Sequence, residues 1–179
     1  GGLKNKIITD LTEEKAGLET ALSKTEEMSQ DNLERLKNNE IDIGTLKIGD
    51  KLPNGMAVAS VAPAGEESGV ADHWRAVFKG KAVISGEYFY TKDGNPLTDG
   101  QVCFKPDEES EKVLPKINGA GIENRNGVLC FSNQETTKLR YGPLGSRGQA
   151  TIVIDNFELS ASPAGNFSAA ELIKTIEKK

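Results

Sequence analysis

The chain has 179 residues, with 22 lysines and arginines against 27 aspartates and glutamates, and a formal net charge of −5. This length fits one domain of ordinary size plus an appendage. The acidic balance argues against strong non-specific binding to nucleic acid, which requires clustered Lys and Arg. No apolar run approaches the ~18–20 residues that a membrane-spanning helix needs.

Residues Thr9 to Lys37 are predicted to form one long helix. Asp10 can cap its start, with Glu13 three residues later. A heptad seam can be drawn along it, but only half of the seam positions are apolar, and Gly17 lies inside the helix. Two interpretations stay open: a solvated spacer helix, or a coil that brings copies of the chain together.

From Ile41 onward the pattern changes to short apolar segments separated by Gly, Pro, Asn and Asp, which is typical of a small β domain. We therefore place the helix in residues 1–40 and the β domain in residues 41–179. The predicted elements of the β domain are a hairpin turn at Asn54-Gly55, one long strand from Trp74 to Tyr90 with glycines 80 and 86 inside it, two cysteine strands, a short helix over Gln134–Leu139, a strand over Gly148–Leu159, and a short C-terminal helix from the capping box Ser168–Glu171.

The two cysteine strands are Gly100–Phe104 and Gly127–Phe131, and they hold the only cysteines of the chain, Cys103 and Cys130. Strand alternation places each cysteine on the face opposite its Phe neighbour. A bridge between them would close a loop of about 28 residues and stabilise the domain by roughly 3.5 kcal/mol. Two free, buried cysteines are the main alternative. A redox or metal-bound pair lacks the C-x-x-C spacing.

Three segments resemble OB-like β-barrel modules of bacterial exported proteins and lipoproteins. They are Gly80–Gly86, the central Cys-Phe strand, and the closing strand Gly148–Ile154. The order of the predicted elements gives an α+β chain: a long N-terminal helix, then a small antiparallel β-barrel, then a short C-terminal helix. The resemblance implies that this barrel is OB-like. It covers about 80 residues, and because such barrels carry many functions, it does not by itself select one.

No residue pattern indicates an enzyme. Asp93, Asn95 and Asp99 are spaced as in a calcium loop, but Phe104 stands where that loop needs a bidentate Glu, so we expect a plain hairpin turn. His73 is the only imidazole and has no recognisable nucleophile partner. We therefore expect no catalytic residues, no metal site and no cofactor.

These sequence features lead us to expect one of two functions. The paired cysteines and the helix-then-barrel order favour a non-enzymatic binding or adaptor module of the bacterial cell envelope, periplasmic or lipid-anchored through a segment before Gly1. The alternative is an OB-type binder of oligosaccharide or single-stranded nucleic acid, with Trp74, Tyr88, Phe89 and Tyr90 as stacking residues. The expected partner is a protein or a glycan rather than nucleic acid, and residues 9–37 are the expected contact in any oligomer.

Overall fold

A computed structural model describes residues 12–23, 40–42, 46–63, 74–118, 127–162 and 165–179. The chain divides into two compact units, Gly1–Lys37 and Asn38–Lys179. In the first unit, residues 12–23 form helix α1, with Leu18 and Leu22 exposed on it. The predicted helix from Thr9 to Lys37 is thus shown only as this short helix, and its remaining residues lie outside the described part of the chain.

In its described residues, the second unit is a β domain with two short helices. Its first and sixth strands form a separate two-stranded parallel sheet. The elements are β1 (Glu40–Asp42), β2 (Ala57–Pro63), β3 (Trp74–Lys79), β4 (Ala82–Tyr90), β5 (Val102–Pro106), α2 (Glu108–Val113), β6 (Lys116–Asn118), β7 (Leu129–Phe131), α3 (Gln134–Tyr141), β8 (Arg147–Ser162) and β9 (Gly165–Lys178).

Five strands close into a barrel in the order β8-β4-β5-β7-β9 and back to β8. Four of the five neighbouring pairs are antiparallel, whereas β7 and β9 run parallel. The barrel is therefore mixed, and the prediction of an antiparallel barrel is wrong for the β7–β9 pair. The β2–β3 hairpin extends the sheet beyond the barrel, because β3 pairs with the second half of β8.

The change of partner along β8 occurs at a bulge. Its first half pairs with β4 up to Ile154, and its second half pairs with β3 from Phe157 onward. Between them Asn156 has a φ of 49°, the left-handed region that bends a strand. The Asp155 carboxylate fills the gap by accepting hydrogen bonds from the backbone N–H groups of Gly80 and Asn156.

Glycines explain two features of the predicted long strand from Trp74 to Tyr90. Gly80 has a φ of 136° and separates β3 from β4, so the prediction of one continuous strand is wrong. Gly86 lies within β4, and a Cβ added there would collide with the Lys105 carbonyl oxygen of β5. Only glycine allows the two backbones this approach.

The C-terminal segment forms strand β9, so the predicted C-terminal helix is wrong. Residues Leu129–Phe131 of β7 pair with Ser168–Ala170, while β8 pairs along the other edge of β9. In this position Ala170 and Leu172 are buried. A local helix start signal is weak beside two strand partners and the burial of an apolar face.

One apolar core fills the barrel. Its largest fully buried side chains include Tyr141, Phe78, Phe104, Phe131 and Met56. Tyr141 brings helix α3 onto one end of the barrel, where its ring lies 6.2 Å from that of Phe131. Among the described residues, no helix is long and apolar enough to cross a membrane.

Candidate binding surface

A disulfide joins Cys103 of β5 to Cys130 of β7, as predicted. The two residues face each other in register, and their neighbours Phe104 and Leu129 point into the core. The bridge thus lies on the outer face of the barrel. It is nevertheless buried, with Cys103 0% and Cys130 3% exposed.

The loop between β4 and β5, residues 91–101, covers the bridge. The Leu97 carbonyl oxygen lies 3.4 Å from Cys130 Sγ, and the Gln101 carbonyl oxygen lies 3.9 Å from Cys103 Sγ. The outer face of β5 and β7 therefore carries this loop at its centre.

The Asp and Asn side chains of the covering loop accept hydrogen bonds from the loop's own backbone. Asp93 accepts a hydrogen bond from the Asn95 N–H, Asn95 accepts one from Leu97, and Asp99 accepts one from Gly94. This is the hydrogen bonding of a tight turn. Across the described part of the chain, no group of three or more metal-ligating side chains is placed to hold a metal ion.

The aromatic side chains predicted to stack on a ligand do not form one surface. Tyr88 is 5% exposed and packs on Tyr141 with ring centroids 4.5 Å apart. Phe89 points to the outer face beside Cys103, and half-buried Tyr90 packs partly against the core. For Trp74 the structure describes only the backbone, at the start of β3, far along the sheet from these three.

Each of the three rings of β4 is instead covered by a cation of the protein itself. Lys178 lies 5.4 Å from the Tyr88 ring centroid, Arg147 5.9 Å from that of Phe89, and Lys138 5.4 Å from that of Tyr90. These are cation–π distances. The rings therefore hold basic side chains in place at the end of the barrel where α3 packs.

Side-chain amides at the start of α3 complete the sheet beyond the short strand β7. Gln134 accepts a hydrogen bond from the Val102 N–H and donates to the carbonyls of Val102 and Phe131. Asn133 forms a reciprocal pair with the backbone of Leu172. Two amides thus act as extra strand residues for β5 and β9 and fix α3 to the barrel. Sequence reasoning missed them.

The most exposed apolar side chain of the described residues lies on α3. Leu139 is 89% exposed, because the buried face of α3 is formed by Thr137 and Tyr141 and residue 139 points the opposite way. Leu144, in the turn that leads to β8, is 51% exposed.

Basic residues surround these leucines. Lys138 and Arg140 flank Leu139 on the helix, Arg147 follows the turn that contains Leu144, and the Lys178 ammonium donates a hydrogen bond to the Arg140 carbonyl. We call this surface the α3 end. It consists of Lys138, Leu139, Arg140, Leu144, Arg147 and Lys178.

Comparisons with known proteins find no match. No protein-family model matches the chain, and neither a curated protein nor a solved structure is significantly similar to it.

A cavity of about 110 Å³ lies on the opposite side of the barrel from α3, where β5, β7 and the end of α2 meet. Apolar residues such as Leu114 and Phe157 line it together with Glu111 and Lys116. The Glu111 carboxylate packs directly against Gly127.

The hydroxyl of Tyr141, the last residue of α3, makes the stability of the fold depend on pH in the alkaline range. Burial raises the pKa of its hydroxyl, although the hydrogen bond with Thr175, 2.8 Å away, acts in the opposite direction. The folded pKa of Tyr141 is above the unfolded value of about 10. The stability that its protonated hydroxyl contributes is therefore complete below about pH 10 and is lost as the pH rises through the folded pKa. Urea unfolding at neutral and alkaline pH should show a smaller alkaline loss for Tyr141→Phe than for the unchanged protein. Equal losses would contradict this assignment.

Proposed function

We propose that this protein is a non-enzymatic binding or adaptor module of the bacterial cell envelope, built on an OB-like barrel. The order of the strands around the barrel supports this barrel type. Along the chain the barrel strands are β4, β5, β7, β8 and β9, and around the barrel their order is β4, β5, β7, β9 and β8, that is, first, second, third, fifth and fourth. Helix α3 connects the third strand to the fourth. OB folds are five-stranded Greek-key barrels that serve as binding modules.

The location is proposed from the disulfide. Bridges between buried cysteines form and persist in oxidising compartments such as the periplasm and the cell surface. The Cys103–Cys130 bridge closes the β5–β7 pair and carries the covering loop, so it is part of the scaffold rather than a redox site.

The observation that carries the proposed binding role is the charge of the α3 end. It holds four cations in a chain whose net charge is −5. Among the described residues, the acids beside them are Glu87, 3.5 Å from Arg147, Glu135 on the first turn of α3, and Glu177, which pairs with Lys179 at 3.0 Å. This end therefore stays positive, and it attracts an anionic partner from solution.

The α3 end is a better candidate than the outer face of β5 and β7. That face carries the loop of residues 91–101 over the bridge. The alternative of an oligosaccharide or single-stranded nucleic acid held by ring stacking has less support, because Tyr88 is buried and the rings of Phe89 and Tyr90 carry basic side chains.

The proposal is tested with dextran sulfate as a simple polyanion. We expect the full chain to bind it at low salt, with the affinity falling as salt is added. Reversing two charges of the α3 end, Lys138→Glu with Arg140→Glu, should weaken binding at least about tenfold, since each charge near an anionic surface contributes on the order of 1 kcal/mol.

The matched control reverses two exposed lysines at the other end of β4, Lys79→Glu with Lys81→Glu. This variant has the same net charge as the first, so equal weakening in both would mean that overall charge decides binding. That result, or no binding by the unchanged protein, would rule out the α3 end as an anion-binding surface.

A further inference from the structure

The exposed leucines of the α3 end have no role in binding a soluble polyanion. Leu139 is 89% exposed on the crest of a helix, with a lysine before it and an arginine after it. Leu144 is half exposed in the following turn. Exposed aliphatic side chains set among Lys and Arg match the boundary of an anionic bilayer, where the apolar groups can be buried while the cations stay among the head groups.

We propose that the α3 end docks on the surface of an anionic lipid bilayer. This inference rests on the proposed function, because it names the partner of the same surface. The two leucines would enter the boundary between head groups and acyl chains, and the cations around them would contact the lipid phosphates. Anionic lipids are the charge complement of this end of the molecule.

The arrangement of the cations fits a flat partner. Lys138 and Arg140 lie on opposite flanks of the residue at the helix crest, since each is one helical step of about 100° from Leu139. Lys138 is held over the Tyr90 ring, and Lys178 is held against the Arg140 carbonyl at 3.3 Å. Their positions are thus set before binding, and little side-chain freedom is lost on contact.

The side chains of the α3 end also favour lipid over nucleic acid as the partner. Single-stranded nucleic acid binds by stacking bases on exposed rings. Here the rings are occupied and the exposed apolar groups are aliphatic. Aliphatic side chains match acyl chains, not bases.

The test is sedimentation of the full chain with two kinds of vesicle, pure phosphatidylcholine and a phosphatidylglycerol–phosphatidylcholine mixture. We expect binding to the anionic vesicles only, and loss of that binding at high salt. Leu139→Ser, at an exposed position that the fold does not use, should reduce vesicle binding about tenfold, as expected for withdrawing one leucine side chain from an apolar phase.

Dextran sulfate distinguishes this inference from the proposed function. If Leu139→Ser weakens vesicle binding and leaves dextran sulfate binding unchanged, the bilayer is the partner. If the unchanged protein binds dextran sulfate through Lys138 and Arg140 but does not bind anionic vesicles, the bilayer inference is overturned and the proposed function stands. Tighter binding of oligothymidylate than of vesicles, with the same dependence on Lys138 and Arg140, would overturn it in favour of nucleic acid.

Discussion

Replacing both Cys103 and Cys130 with alanine is expected to lower the free energy of unfolding by about 3.5 kcal/mol. The bridge spans a sequence separation of 27 residues, and the chain-entropy model assigns about this value to a loop of that length. The melting temperature should fall by about 10 °C, since each kcal/mol corresponds to roughly 2–4 °C in a domain of this size. Urea unfolding of the oxidised protein and the double variant measures the difference.

Burial of the bridge provides an independent check. Because both sulfur atoms lie under the loop of residues 91–101, a thiol reductant reaches them only after that loop opens. Reduction should therefore be slow in buffer and fast in urea. A double variant within about 1 kcal/mol of the unchanged protein, or a bridge that is reduced equally fast with and without urea, would contradict the structure.

Gln134→Leu is expected to cost about 4 kcal/mol, although it changes a polar, partly exposed side chain to an apolar one of similar size. The substitution removes the partners of the Val102 N–H and of the carbonyls of Val102 and Phe131, and both residues are almost fully buried. Each backbone group left buried without a partner costs about 1–3 kcal/mol. Urea unfolding measures the loss.

Gln149→Leu is the matched control. Gln149 is exposed on β8, and its side chain makes no hydrogen bond among the described residues, so the same chemical change should alter stability by less than about 0.5 kcal/mol. If Gln134→Leu were as mild as this control, the amide of Gln134 would not be the strand substitute that the structure shows.

Local patterns in the sequence predicted the parts of the fold that short-range physics decides. Alternation along Val102–Phe104 placed Cys103 on the face opposite Phe104, and the structure confirms that face and the bridge to Cys130. The Asn-Gly turn is present as well, with Gly55 at a φ of 86°. The helix expected at Gln134 is α3, two residues longer than predicted.

The parts that sequence reasoning missed depend on contacts between distant residues. Ser168 and Glu171 have the spacing of a capping box, yet β7 and β8 provide strand partners on both sides of this segment. The α3 end could not be predicted either. Lys138 meets Tyr90, and Lys178 meets Tyr88, only because the barrel brings together elements that are about 50 to 90 residues apart.

The long strand β8 has a consequence for how the β domain unfolds. It is hydrogen-bonded on both edges, to β9 along almost its whole length and to β4 and then β3 on the other side. Among the described strands, the β2–β3 hairpin is hydrogen-bonded to the rest of the sheet only through β8, which also forms a wall of the barrel. Barrel and hairpin share one cooperative unit, and loss of β8 from either would release both.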